Sequence, residues 1–152
     1  MGASFGRFRA SICADTGGSG WYDRAMVLVM SEMVLFVGTY GIAEGGLDAF
    51  YAQARAVTEL IRDHEPRVIS VGHYLNDDQT EGTTIHLHTD ADSFDFHMEI
   101  ASRLIDKGMQ LVDVKRIEFY GKPHDWVVEQ LSQVFDVRVK AWVDGYSRID
   151  IP

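Results

Sequence analysis

Apolar positions begin to repeat at Met33. Val34, Leu35, Phe36 and Val37 run into Gly38, Thr39, Tyr40, Gly41 and Ile42 as a nearly continuous apolar strand, the pattern of a central strand covered on both faces. Gly45 and Gly46 break it. Leu47, Phe50, Tyr51, Ala54, Val57, Leu60 and Ile61 then recur at spacings of three and four, one stripe of an amphipathic helix that Pro66 ends. Val68 to Leu75 and Thr83 to Thr89 read as two strands joined by the polar turn Asn76-Asp77-Asp78-Gln79-Thr80-Glu81-Gly82. Asp92 or Ser93 is placed to cap a second helix with the stripe Phe94, Met98, Ala101, Leu104 and Ile105, closed by Gly108. Val112 to Tyr120 is the fourth strand.

This order of periods predicts an α+β ferredoxin-like βαββαβ sandwich with both helices on one face of the sheet. After Gly121, Pro123 stands at an expected first helical position, a helix runs through Trp126, Val127, Leu131 and Val134, and a strand follows through Val137, Val139, Ala141 and Val143. Residues 33–152 are therefore expected to form one domain with an extra C-terminal helix and strand. Residues 1–32, where glycines and serines interleave with Arg7 and Arg9 without a period, are expected to be a disordered leader or an upstream extension, with Met26, Met30 and Met33 as alternative starts. The uncovered sheet face needs a cover, and a second copy of the chain is the simplest.

Alternation on the third strand separates Ile85 and Leu87 from Thr84, His86 and His88. Assigning the apolar pair to the helices leaves His86 and His88 on the open face, beside either Phe36, Gly38 and Tyr40 or their alternates on the first strand. Enclosed against a partner subunit, those imidazoles would lose bulk water and carry shifted pKa values. The alternative is structural: histidines bonded to one another, to Thr84 or Tyr74, or to water. A metal reading would need a third ligand such as His73, Glu81 or Asp90, and the spacing does not select one. Tyr40, Tyr74 and Tyr120 lie near strand ends, suited either to orienting a phenolic ring or to packing with one wet end. Trp126 reads as a packing anchor, and Lys115, Arg116, Arg138 and Lys140 as a solvated edge that discourages strand addition.

Composition narrows the partners. In 152 residues, 14 basic against 23 acidic side chains give a net charge of −9, which opposes binding to nucleic acid or anionic membranes. No apolar run reaches the roughly 20 residues of a membrane span, no secretory pattern opens the chain, and the lone Cys13 fits a reducing compartment, so a cytoplasmic location is expected. No phosphate loop, Ser-His-Asp order, Cys-His pair or CxxC motif is present.

The segment Ile85-His86-Leu87-His88-Thr89-Asp90-Ala91-Asp92-Ser93-Phe94-Asp95-Phe96-His97, with the element order around it, resembles the antibiotic biosynthesis monooxygenase-like domains of the dimeric α/β-barrel superfamily. In those domains the strand often ends in a tryptophan, followed by an acidic helix opening and a helical histidine. His88 stands at the tryptophan place and His97 at the histidine place. The resemblance implies a homodimer packed through sheet faces, a pocket in each subunit between sheet and helices, and oxidation of phenolic or quinol substrates without metal or flavin. Haem-degrading relatives add a first-strand asparagine; here the one asparagine is Asn76 and the tryptophan is replaced, which disfavours that activity.

The expected function is thus a cofactor-independent monooxygenase-like protein acting on a small aromatic or quinol-type molecule. His97, His88 and His86 would be the catalytic residues that handle protons, and Tyr40, Tyr74 and Phe36 would contact substrate. No cofactor is expected. The alternative is a non-catalytic dimeric module of the same fold that binds a small molecule or another protein.

Overall fold

The computed structural model describes residues 32–145. The expected leader, apart from Glu32, lies outside the described residues, as does Cys13. The elements are β1 (Val34–Ile42), α1 (Leu47–His64), β2 (Val68–Leu75), β3 (Glu81–His88), α2 (Ala91–Met109), β4 (Val112–Tyr120), α3 (Asp125–Ser132) and β5 (Val137–Lys140). The sheet runs β2-β3-β1-β4-β5, with β1 central as its apolar run predicts. Neighbouring strands are antiparallel except β4 and β5, which are parallel.

Each helix follows its stripe. Phe50, Val57 and Ile61 of α1 are buried, and Ser93, Phe94, His97 and Ala101 of α2. The cap of α2 lies upstream of both expected candidates: Asp90 is extended, and its Oδ1 accepts the Ser93 backbone N–H at 2.9 Å. The same carboxylate pairs with Arg67, so one residue starts α2 and fastens the approach to β2. Gly108 does not end α2. Its missing Cβ lets Gln53 of α1 come close, and Gln53 Nε2 donates to the Leu104 carbonyl at 2.5 Å. In α3 the N-cap is His124, one place after Pro123, and Val127 enters the core.

The sheet faces are the reverse of the sequence expectation. In the β1–β3 register Val34 faces His88, Phe36 faces His86 and Gly38 faces Thr84. Phe36 packs on Phe94 of α2 at 5.5 Å and on Phe119 of β4 at 5.6 Å. The row Thr84, His86, His88 therefore lies under the helices, while Ile85 and Leu87 occupy the opposite face, which among the described residues is uncovered. Apolarity could not separate the two faces, because β1 contributes Leu35 and Val37 to the uncovered side as well. No partner subunit is needed to bury the histidines.

On the uncovered face Glu118 accepts from Arg116 Nε at 3.0 Å and from Lys140 Nζ at 2.6 Å. Two residues of the supposed solvated edge thus belong to a cross-strand ion cluster. Among the described residues no helix is long and apolar enough to cross a membrane.

Gly121 closes β4 with φ +109, and its N–H donates to the Lys140 carbonyl at 2.9 Å. A Cβ there would collide with the Met33 carbonyl oxygen. Gly121→Ala is expected to lower unfolding free energy by about 2 kcal/mol, seen as a reduced urea midpoint at unchanged slope. A loss below about 0.5 kcal/mol would show that the turn relaxes around a side chain.

Candidate functional site

The site grows from two periodicities meeting. On β3, positions 84, 86 and 88 share one face by alternation. On α2, Ser93, Phe94 and His97 share one face by helical spacing, directly above that row. His97 lies edge-on to His86 at 4.8 Å and 5.7 Å from His88. His88 stands edge-on to Phe94 at 5.1 Å, with its Nδ1 hydrogen-bonded to Ser93 Oγ at 3.0 Å.

Glu65 completes this group from the end of α1. Its backbone N–H donates to the Ile61 carbonyl as the helix stops before Pro66, which turns the side chain inward. His97 Nδ1 donates to the Glu65 carboxylate at 2.9 and 3.1 Å, with side-chain exposures of 5% and 1%. A carboxylate so deeply buried is stable only with strong donors. The bond fixes the proton of His97 on Nδ1 and leaves Nε2 as the nitrogen available to a ligand.

A cavity of about 120 Å³ lies between the sheet and helices α1 and α2. Its walls are mostly apolar, with Phe36, Phe50, Val57, Phe94, Met98 and Ile105 among them; Gln53, His73, Thr84, His86 and His97 are its polar members besides the Tyr40 hydroxyl. An apolar cavity of about 150 Å³ admits a benzene-sized molecule, so this one suits a single ring. Among the described residues His86 has no hydrogen-bond partner on either ring nitrogen, and His73 Nε2 and His88 Nε2 also lack one. Each such buried atom costs about 1–3 kcal/mol until something bonds to it.

Burial, and then the nearby His97, His88 and His73, push His86 well below the ordinary histidine range. Burial first and His97 second bring His88 down to about 3. His73 is lowered by burial. Loss of water around the Tyr40 hydroxyl pushes it up to about 12, against a smaller opposing effect of its bond to Thr84. At neutral pH His73, His86 and His88 are therefore neutral, and the Tyr40 phenol keeps its proton.

Of the residues singled out in the sequence, His86, His97, Tyr40 and Phe36 meet at the cavity. His88 does not line the cavity: it is fully buried beside them, packed against His97 and Phe94. Tyr74 is not brought there: it is 57% exposed and lies over Gly72 on the opposite sheet face. His73, considered earlier as a metal ligand, lines the cavity instead. Neither Glu81 nor Asp90 joins His86 and His88. Glu81 is exposed, and Asp90 is engaged by Ser93 and Arg67. Among the described residues, the histidine–carboxylate group with ligand atoms within 4.8 Å of one another is Asp92, Asp95 and His124, at the surface between α2 and α3. Trp126 caps that region, its Nε1 donating to Asp95 at 3.1 Å.

Glu65 escaped the sequence reading, in which Thr84 stood only as a hydrogen-bond partner for the histidines and Ser93 only as a helix-cap candidate. A glutamate beside a helix-ending proline reads as a solvated terminus, and only its contact with His97, 32 positions away, marks it as internal.

The depressed histidines fix the sign of the pH dependence. Folded His86, His88 and His73 stay neutral while the unfolded chain takes up protons below about 6.5, so stability is full above that pH and falls as pH drops toward the folded values. Each such histidine contributes a slope of up to about 1.4 kcal/mol per pH unit. Urea unfolding between about pH 6.5 and 5 should show the decline, with a slope lower by about one proton in His86→Phe. Equal slopes for the two proteins would mean that His86 titrates normally in the fold.

No protein-family model matches the chain, and no curated protein matches it in sequence. Among solved structures, MupZ from Pseudomonas fluorescens is similar with a TM-score of 0.67 and 21% identity, over 77% of this chain and 95% of that one. A conserved protein from Methanosarcina mazei Go1 gives 0.54 and 17%, over 66% and 98%. A Deinococcus radiodurans protein provisionally named an antibiotic biosynthesis monooxygenase gives 0.51 and 16%, over 60% and 93%. Such identities speak to architecture and not to reaction. The chain has the α+β, ferredoxin-like fold of the antibiotic biosynthesis monooxygenase-like proteins.

Proposed function

We propose that the protein is a cofactor-independent, monooxygenase-like enzyme that acts on a small aromatic molecule bearing an ionisable hydroxyl. The observation that carries this reading is the buried Glu65–His97 pair, which presents a fixed imidazole to a cavity of single-ring size.

His97 Nε2 takes the ring hydroxyl proton, and Glu65 stabilises the imidazolium that forms. His86, neutral and with both nitrogens unpartnered by protein, offers one donor and one acceptor to the same molecule. In apolar surroundings the resulting phenolate is electron-rich enough to reduce dioxygen. One oxygen atom becomes a ring carbonyl, the other leaves as water, and all the electrons come from the ring. The monooxygenase name borne by the Deinococcus protein of the same fold supports this class of reaction.

The uncovered face, with Leu35, Val37, Ile85 and Leu87 in adjoining rows, is suited to packing on a second copy. Since the cavity forms within one chain, the chemistry does not depend on that packing. Sedimentation at micromolar concentration is expected to show a dimer, and a stable monomer would remove the dimer while leaving the site intact.

With a panel of phenols and quinols, oxygen uptake by the wild type should exceed buffer. His97→Ala should fall to background, and Glu65→Gln should lose about 10²-fold in kcat. Wild-type uptake equal to buffer, with a panel member still raising the melting temperature, would instead identify a binding module without turnover.

A further inference from the structure

A groove runs along the solvent side of α2, outside the cavity, and α3 forms its far wall. Asp92, Asp95, Glu99 and Asp106 line it, with the rings of Phe96 and Trp126 exposed there at 44% and 46%. Among the described residues no lysine or arginine does. His124 offsets Asp92 and Asp95 in part, its Nδ1 bonded to Asp95 Oδ2 at 2.7 Å. Glu99 and Asp106 have no ion-pair partner among the described residues, and Asp95 Oδ1 is buried without a hydrogen-bond partner. At about 580 Å³, against about 120 Å³ for the cavity, the groove suits a stretch of chain rather than a single ring. Met98 and Ile105 line both, so an occupant of the groove rests on the outer wall of the cavity.

The chain itself carries a segment of matching chemistry. Although the net charge is −9, residues 1–14 contain Arg7 and Arg9 and no acidic side chain, and the two arginines are interleaved with Phe5 and Phe8. Guanidinium groups pair with carboxylates and stack on aromatic faces, and this groove offers both. Position agrees with chemistry. Val34 pairs with His88 at the end of β3 and Leu35 with Tyr120 at the end of β4, and just beyond those strand ends Asp90 opens α2 and His124 opens α3. Residues 1–31, which lie outside the described residues, therefore join the domain at the end of the sheet where the groove begins. Asp92 to Asp106 spans about 21 Å along the helix. A flexible coil of the length from Arg9 to Met33 covers about 27 Å on average, enough to reach along it.

We propose that the Phe5-Gly6-Arg7-Phe8-Arg9 segment docks in this groove of its own chain, Arg7 and Arg9 pairing with the carboxylates and Phe5 and Phe8 packing against Phe96 and Trp126. The docking is independent of the chemistry in the cavity. Because the segment is tethered, its effective concentration at the groove is near the millimolar range, so ion pairs that are individually weak suffice to hold it.

The lone Cys13, close after Arg9, provides the test. A nitroxide attached there in the full, isotope-enriched chain broadens the backbone amides that lie near it. Amides of Asp95, Glu99, Asp106 and Trp126 should lose about half or more of their intensity relative to the reduced label, as a tethered segment at millimolar effective concentration requires. Those of Val71, Gly72 and His73 on the far edge strand should not. Arg7→Glu with Arg9→Glu should restore the groove signals, as should Glu99→Lys with Asp106→Lys and salt at about 0.5 M. Unchanged chemical shifts elsewhere in the domain show that each variant is folded. Broadening that survives both charge reversals, that falls on another surface, or that is absent would overturn the proposal. A mixture of labelled, unenriched chains with enriched Cys13→Ser chains examines the other occupant. Groove amides left sharp in the mixture support docking within the chain, whereas broadening as strong as in the single sample assigns the segment to a neighbouring copy and overturns it.

Discussion

A carboxyl group with its side chain at 1% exposure is costly to bury without a hydrogen-bond partner, and here His97 Nδ1 is that partner. This single pair ties the end of α1 to the middle of α2 above β3, and the arrangement beneath it follows. With Nδ1 of His97 committed to Glu65, its other nitrogen is directed away from the pair. The ring lies edge-on over His86, close enough that protonating one imidazole disfavours protonating the next. Removing either partner would leave a buried group uncompensated, so structure and chemistry rest on the same bond.

The rest of the cavity is shaped by where small residues let large ones in. Gly82 admits Phe50, whose ring comes 2.6 Å from where a Cβ would stand, and so draws α1 onto the sheet. Gly38 makes room for the Tyr40 ring, and Gly108 for Gln53, whose bond to the Leu104 carbonyl holds α1 beside α2. An apolar roof from the helices then faces a polar strip along β3. Preformed pockets of this kind, apolar with a few converging polar groups, are typical small-molecule sites. MupZ and the Deinococcus protein share the fold, while the chemistry has to be argued from the imidazoles and Glu65 themselves.

Independence of the cavity from any second subunit separates two questions that the sequence had joined. The histidines lie under α2 and are desolvated by Phe94, Phe36 and one another. The apolar rows of the opposite face concern assembly alone.

What the sequence determined by itself was the order, type and approximate bounds of the elements. Periodicity is a local property, and the β1 run, the α1 and α2 stripes and the Val112–Tyr120 strand are written in consecutive residues. It also grouped Thr84, His86 and His88 on one side of β3, because alternation requires it. Which side that was could not be read, since both faces of β1 and β3 carry apolar residues, and only the packing of Phe36 on Phe94 decided it. Glu65 meeting His97, Thr84 meeting His73, and Tyr74 turning away from the cavity were likewise decided in three dimensions. Each depends on contacts or side-chain directions set by strand register and helix docking, which no local pattern encodes.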